Sequence, residues 1–462
     1  MRLLWRMIKE EWRTHSELFG SKKFGLLPVL LLGMNAFIAW FLVDTAFSQT
    51  DVALFVHALV FFMGMNVGTI GLVGRDALKN LLGEANLLIF SSRTLPISQT
   101  RILLVFVIKD LIYYTFLFIL PIVGGVAVAY SYLGLPMGQV GLMLITVPGM
   151  FLFAVAVSFL GAVLYLRGRV PFLIGLAVAS GLFMVFRAGL VEFTPLALFF
   201  EPTMRTAFFG FVPIVVLLML SAVLFGTEHR KARTARPLYP AIMDKTPSIS
   251  FLGAKTVLDI IRSSGNVFKL VFSQLVVFAF FVYLIESISF LRIFVDAPGA
   301  SFAVLMALAS VSVYNWVNRF DRLSSYLILP VDEAGVLGAK MKAFLYLAIP
   351  SSYPFVIASG VMFGWEGMAL GLLVLPLLII YMGGITAYMA GMEPNKMLLD
   401  VWTFTLFGAA TSIVIVPAFI LSILSAEYSG AAIILFVLSV FAAGTGVGLF
   451  KRAKNKRRHD SS

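Results

Sequence analysis

Apolar residues run along this chain in long uninterrupted stretches rather than at helical or strand spacing, and short polar breaks divide them. The runs fall at about 24–46, 52–74, 105–131, 139–166, 170–191 and 208–226, then at 267–288, 299–318, 341–363, 367–390, 401–424 and 430–450. Each holds 18 or more residues, enough for a helix to cross a hydrocarbon layer about 30 Å thick. The pattern predicts an all-α polytopic membrane protein of about twelve transmembrane helices.

Polar positions set the orientation. With the N-terminus placed in the cytoplasm, thirty of the 35 Lys and Arg fall in segments on one side of the membrane. The other side holds Arg205 and Arg292, while Lys109, Arg187 and Lys269 sit in or at the ends of spans. Such an asymmetry orients membrane proteins with their basic loops inside. It predicts a multi-pass protein of the plasma membrane with both termini cytoplasmic. The net charge of +12 is then explained by anionic membrane lipids beside the spans, not by nucleic acid. No cleavable leader is expected, because the run from Phe24 continues to spanning length without a small-residue cleavage site.

One long polar break, residues 227–250, separates the first six spans (1–226) from the second six (251–450), with a basic tail at 451–462. The halves follow one plan. Each begins with an amphipathic stretch suited to lie in the headgroup layer: Leu3, Leu4, Met7, Ile8 and Trp12 in the first, and Phe251, Leu252, Val257, Leu258 and Ile261 in the second. After its second span each half carries a charged segment ending in a Leu-Pro step. The first includes Arg75, Asp76, Glu84, Leu95-Pro96-Ile97-Ser98 and Arg101; the second includes Arg319, Asp321, Leu329-Pro330-Val331-Asp332 and Lys340. Proline ends one helix, and Ser98 or Asp332 is placed to cap the next. An even number of spans per half gives both the same orientation, hence pseudo-symmetry about an axis along the membrane normal. Gly64, Gly68 and Gly71 in the second span, and Gly444, Gly446 and Gly448 in the last, are candidates for close helix approach.

The two Leu-Pro elbows, each followed by basic residues and a long helix, resemble the cytoplasmic segment of ABC-2-type exporter permeases. The interfacial N-terminal helix and the six-span unit are similar as well, so the likeness covers nearly the whole chain. It departs at Phe106, where the family pattern places Lys; Lys109 follows three residues later. The resemblance implies a permease without its own nucleotide-binding domain, moving a hydrophobic or amphipathic substrate along the seam between its halves. Two separate ATPase subunits, carrying ATP and Mg, would dock on segments that include Arg75, Asp76, Glu84, Pro96, Ser98, Arg101, Arg319, Asp321, Pro330, Asp332 and Lys340. It also implies a short re-entrant helix in segment 192–207, with Glu192 and Glu201 as polar members; an outer loop on the headgroups is the competing reading of that segment.

Little else in the sequence carries chemistry. There is no Cys, and the four His are scattered, so no metal site or thiol chemistry is expected. Gly253-Ala254-Lys255-Thr256 lacks the spacing of a phosphate-binding loop. No bound cofactor and no enzymatic site are expected. Polar residues inside or near the ends of spans mark possible pathways, which singles out His57, Glu192, Glu201 and Glu286. The alternative function is an ion-coupled secondary transporter with twelve spans, although no acid falls convincingly at mid-depth, where such carriers usually hold one.

Overall fold

The computed structural model describes residues 27–45, 48–73, 99–132, 137–167, 190–224, 250–262, 267–318, 332–392 and 401–460, with single positions at 5, 9, 171, 174 and 175. Every regular element among them is helical. That is the outcome lipid demands, because a buried helix satisfies its backbone polar groups within one segment. A helix occupies every predicted window except 170–191, most of which lies outside the described residues. Among the described residues nine helices are long and apolar enough to cross a membrane, and two shorter apolar stretches are Pro28–Trp40 and Thr50–Met65. The chain divides into two compact units, Met1–Lys231 and Ala232–Ser462.

The first unit contains α1 (Leu27–Thr45) and α2 (Gln49–Val73). Ser48 and Asp51 start α2 with a reciprocal cap: Ser48 Oγ accepts from Asp51 N–H at 3.1 Å and Asp51 Oδ2 accepts from Ser48 N–H at 2.9 Å. Next come α3 (Gln99–Tyr114) and α4 (Leu120–Tyr132), joined into one rod by a π turn at Thr115–Ile119. The turn immediately precedes Pro121. The Leu120 N–H reaches back to Thr115 O, a widened bond that makes room where proline supplies no N–H. After α5 (Met137–Arg167), a 3₁₀ turn at Leu190–Phe193 leads to the short α6 (Leu196–Phe200) and then to α7 (Met204–Leu224). Helix α2 packs on α5, α5 on α7, and α1 on α4. Gly64 is the point of closest approach between α2 and α5. A Cβ there would stand 2.6 Å from Phe151 O and 2.8 Å from Ala154 Cβ.

The second unit opens with α8 (Phe251–Arg262) and α9 (Phe268–Ser287). Its second span is α10 (Pro298–Ala309) followed by α11 (Val311–Asn318). The break between them is Ser310, whose hydroxyl donates to Ala307 O at 2.6 Å, a back-bond that bends helices. Then follow α12 (Glu333–Phe363), α13 (Met368–Ala390), α14 (Val401–Leu424) and α15 (Ser429–Asp460). Here α10 packs on α13, α13 on α15, and α9 on α12. Within the described residues the first unit thus centres on α5, against α2 and α7, and the second on α13, against α10 and α15.

Contacts at the two ends of the second unit show that its helices alternate in direction. One end gathers Tyr314, Glu333, Gly391 and Arg457. The other joins Gly299 N–H to Glu366 O at 3.2 Å and Ser301 to Ser422 at 3.1 Å. Because lipid tails are as apolar as the helices, dispersion and small-residue contact hold such a bundle together more than hydrophobic burial does. Gly446 serves this role: a Cβ on it would stand 2.6 Å from Tyr381 Cα, and its own backbone fills the space beside Gly384. The other two glycines expected to act this way, Gly444 and Gly448, face open space. Gly68 and Gly71 have no described surroundings.

In helix α8 Gly253, Ala254, Thr256, Val257, Leu258 and Ile260 are buried against α12 and α11. Its apolar face covers protein, with Phe251 left 63% exposed at its start.

Candidate functional site

His57 lies on the third turn of α2 with no exposed surface. Its Nδ1 is 2.7 Å from Ala53 O and its Nε2 is 2.8 Å from Thr146 Oγ1 on α5. A neutral ring meets both demands, with Nδ1–H donating to Ala53 O and Nε2 accepting the Thr146 hydroxyl proton. The same hydroxyl has a second acceptor in Leu142 O at 3.0 Å, but with one proton it serves one acceptor at a time. With the Thr146 hydroxyl donating to Nε2, both ring nitrogens are engaged and neither is left to hold a metal or a solute. His57 is a cross-link between α2 and α5 rather than a pathway ligand.

The Phe199 ring lies over this cross-link, its centroid 5.5 Å from the imidazole. Phe199 belongs to α6, whose Leu196 and Ala197 are also buried. His57 lies about 12 Å along α2 at 1.5 Å per residue. Pro195 reaches still deeper beside α5, where a Cβ on Gly149 would come within 3.1 Å of Pro195 Cβ. Leu196, Ala197 and Phe199 of this segment are thus buried among α2, α5 and α7. Its acids stay at the rim: Glu192 is exposed and 4.0 Å from Arg205, and Glu201 is exposed while its backbone carbonyl accepts the Thr206 hydroxyl. Glu286 is exposed in the last turn of α9 in the other unit. In the first unit, then, His57 is buried while Glu192 and Glu201 face outward. Lys109 and Asp110 pair with each other at 2.9 Å on α3.

The second polar assembly is at the basic end of the second unit. Asp332 Oδ1 accepts from Gly335 N–H at 3.0 Å and caps α12. Next to it, Glu333 meets Arg457 of α15 at 3.4 Å. The Arg457 guanidinium lies against Gly391, which follows α13 and has φ +59°. The Gly391 carbonyl accepts the Tyr314 hydroxyl at 2.6 Å, and the Tyr314 ring meets Phe344 of α12 edge-on at 5.5 Å. The ends of α11, α12, α13 and α15 thereby close around Gly391, with α8 packed along the first turns of α12. Nearby on α9 and α11, Lys269 stands 5.0 Å from the Trp316 ring centroid, a cation–π contact.

This collar corrects one residue of the expected docking surface. Lys340 is 1% exposed, on a stretch of α12 where Ala339, Met341 and Phe344 are buried as well, so it presents no free surface. Arg75, Asp76, Glu84, Pro96, Ser98, Arg319, Asp321 and Pro330 lie outside the described residues, as does the side chain of Arg101. Sequence reading missed Tyr314, Gly391 and Arg457. The available signals were a Gly just past an apolar run, which marks a helix end, and the four-residue spacing of Ala453 and Arg457 in the basic tail. Among the described residues no group of three His, Cys, Asp or Glu could hold a metal ion.

The composition, the long apolar helices and the all-helical packing define a multi-pass α-helical membrane protein. No protein-family model, curated protein or solved structure matches the chain.

Proposed function

We propose that this chain is the membrane permease of an ATP-driven, ABC-type exporter, with ATP hydrolysed by separate subunits docked on its cytoplasmic side. The observation that supports this reading is a packing plan common to the two compact units: α5 lies between α2 and α7 in the first, and α13 between α10 and α15 in the second. A duplicated bundle with this plan, and with a charged elbow before each long third span, suits a permease driven by two equivalent ATPase subunits. The collar around Gly391 adds a means of transmission. A push on the elbow before Asp332 would move α12, and the contacts at Glu333 and Phe344 would carry that motion to α15, α13 and α11 together. The abundance of Phe and Met, 44 and 20 residues, favours a hydrophobic or amphipathic substrate.

The test is retrieval of the tagged full chain from gently solubilised native membranes. The expected result is co-purification of a P-loop ATPase of about 250–300 residues, within the usual size of one or two domains. ATP should then drive substrate movement in vesicles. Transport that runs on an ion gradient without ATP, with no ATPase retrieved, would replace this reading with an ion-coupled carrier.

A further inference from the structure

Helix α15 is 32 residues long, and only part of it is suited to lipid tails. Ser429–Phe450 carries no charge and spans about 33 Å at 1.5 Å per residue, close to the thickness of a hydrocarbon core. The helix then continues as Lys451-Arg452-Ala453-Lys454-Asn455-Lys456-Arg457. These turns have two distinct faces. Ala453 is 6% exposed, Lys454 lies along α12 near Gly338, and Arg457 is held by Glu333 and Gly391. Lys451, Arg452, Asn455 and Lys456 are exposed, and at about 100° per residue they share an arc of about 140°.

That arc carries three cations and no acid. It begins one residue beyond the uncharged stretch and ends about 7.5 Å further along the axis. The headgroup layer is roughly 5–7 Å thick on each side of the core, so flexible Lys and Arg side chains reach its phosphates from all three positions. The clamp on the opposite face fixes the helix in advance, which removes an ordering cost from binding. The geometry points to a binding site for anionic lipid phosphates, made by Lys451, Arg452 and Lys456. An acidic soluble partner fits less well, since the arc starts at the first residue past the uncharged stretch instead of projecting clear of it. This assignment does not rest on the ATPase-coupled reading.

The experiment uses the full chain in mixed phosphatidylcholine–phosphatidylglycerol nanodiscs, with retained lipid counted by native mass spectrometry after stepwise delipidation. The wild type should retain phosphatidylglycerol over phosphatidylcholine, and high salt should weaken that preference. Each basic residue near an anionic surface contributes roughly fivefold in binding, so K451Q/R452Q/K456Q should lose about a hundredfold in preference. The charge-preserving K451R/K456R variant should keep it, which separates lost charge from lost folding. Equal retention of phosphatidylglycerol by the wild type and the glutamine variant overturns the site. So does a glutamine variant that loses an acidic protein partner while its lipid preference is unchanged.

Discussion

His57 Nε2 and Thr146 Oγ1 stand 2.8 Å apart in the interior of the first unit, joining two helices whose sequence positions are 89 residues apart. Both His57 nitrogens are engaged by protein, and Phe199 from the inserted α6 covers the pair. A lone histidine in a membrane span invites a functional reading, but here Nε2 joins α2 to α5 while Nδ1 is held by the Ala53 carbonyl of α2 itself.

Thr146→Val keeps the shape and removes the hydroxyl, leaving Nε2 buried without a partner. The expected cost is about 1–3 kcal/mol, read as an earlier midpoint in heat or SDS unfolding of the detergent-solubilised chain. Thr146→Ser should restore most of it. A role of His57 in binding solute predicts the opposite pattern, with unchanged stability and lost transport.

Gly391→Ala tests the collar. Its Cβ would collide with the Arg457 guanidinium, and its φ of +59° disfavours an L side chain by about 1–2 kcal/mol. The variant should be destabilised, and adding Arg457→Ala should recover part of the loss by removing the collision. Full additivity of the two substitutions would mean that the contact is not present in solution.

The glycines of α15 should separate cleanly. Gly446→Ala forces a side chain against Tyr381 of α13, whereas a Cβ at Gly444 or Gly448 meets nothing within 4 Å. Thermal midpoints should therefore fall for the first and stay within error for the other two. Equal effects at all three would contradict the packing of α13 on α15.

Orientation can be read directly, because the chain has no cysteine of its own. Glu427→Cys lies between α14 and α15, and Lys456→Cys lies near the far end of α15. With basic segments inside, a membrane-impermeant maleimide should label position 427 in intact cells and position 456 only after the membrane is opened. The reverse labelling would place the basic end outside.

Much of the fold was legible one segment at a time. Charge-free runs of spanning length become helices because lipid leaves the backbone no other partner, and Asp332 two residues past Pro330 marks where α12 begins. The candidate site was less legible. His57 stood out by its chemistry, but its role depended on Thr146, a residue with no feature of its own in the sequence. Lys340 looked like a surface cation, yet it is buried on α12.

The sequence by itself determined that this chain is a multi-pass bundle of apolar helices with a strong asymmetry in its basic residues. Those properties follow from local transfer free energies, which depend on each segment and its solvent. Tertiary structure alone decided which helix faces meet: α8 against α12 instead of lipid, Gly446 instead of Gly444 or Gly448, and Arg457 closing on Gly391. In a bilayer every apolar face is equally comfortable against lipid. Shape and a few buried polar contacts therefore choose the partners, and these belong to pairs of distant residues that no single stretch of sequence contains.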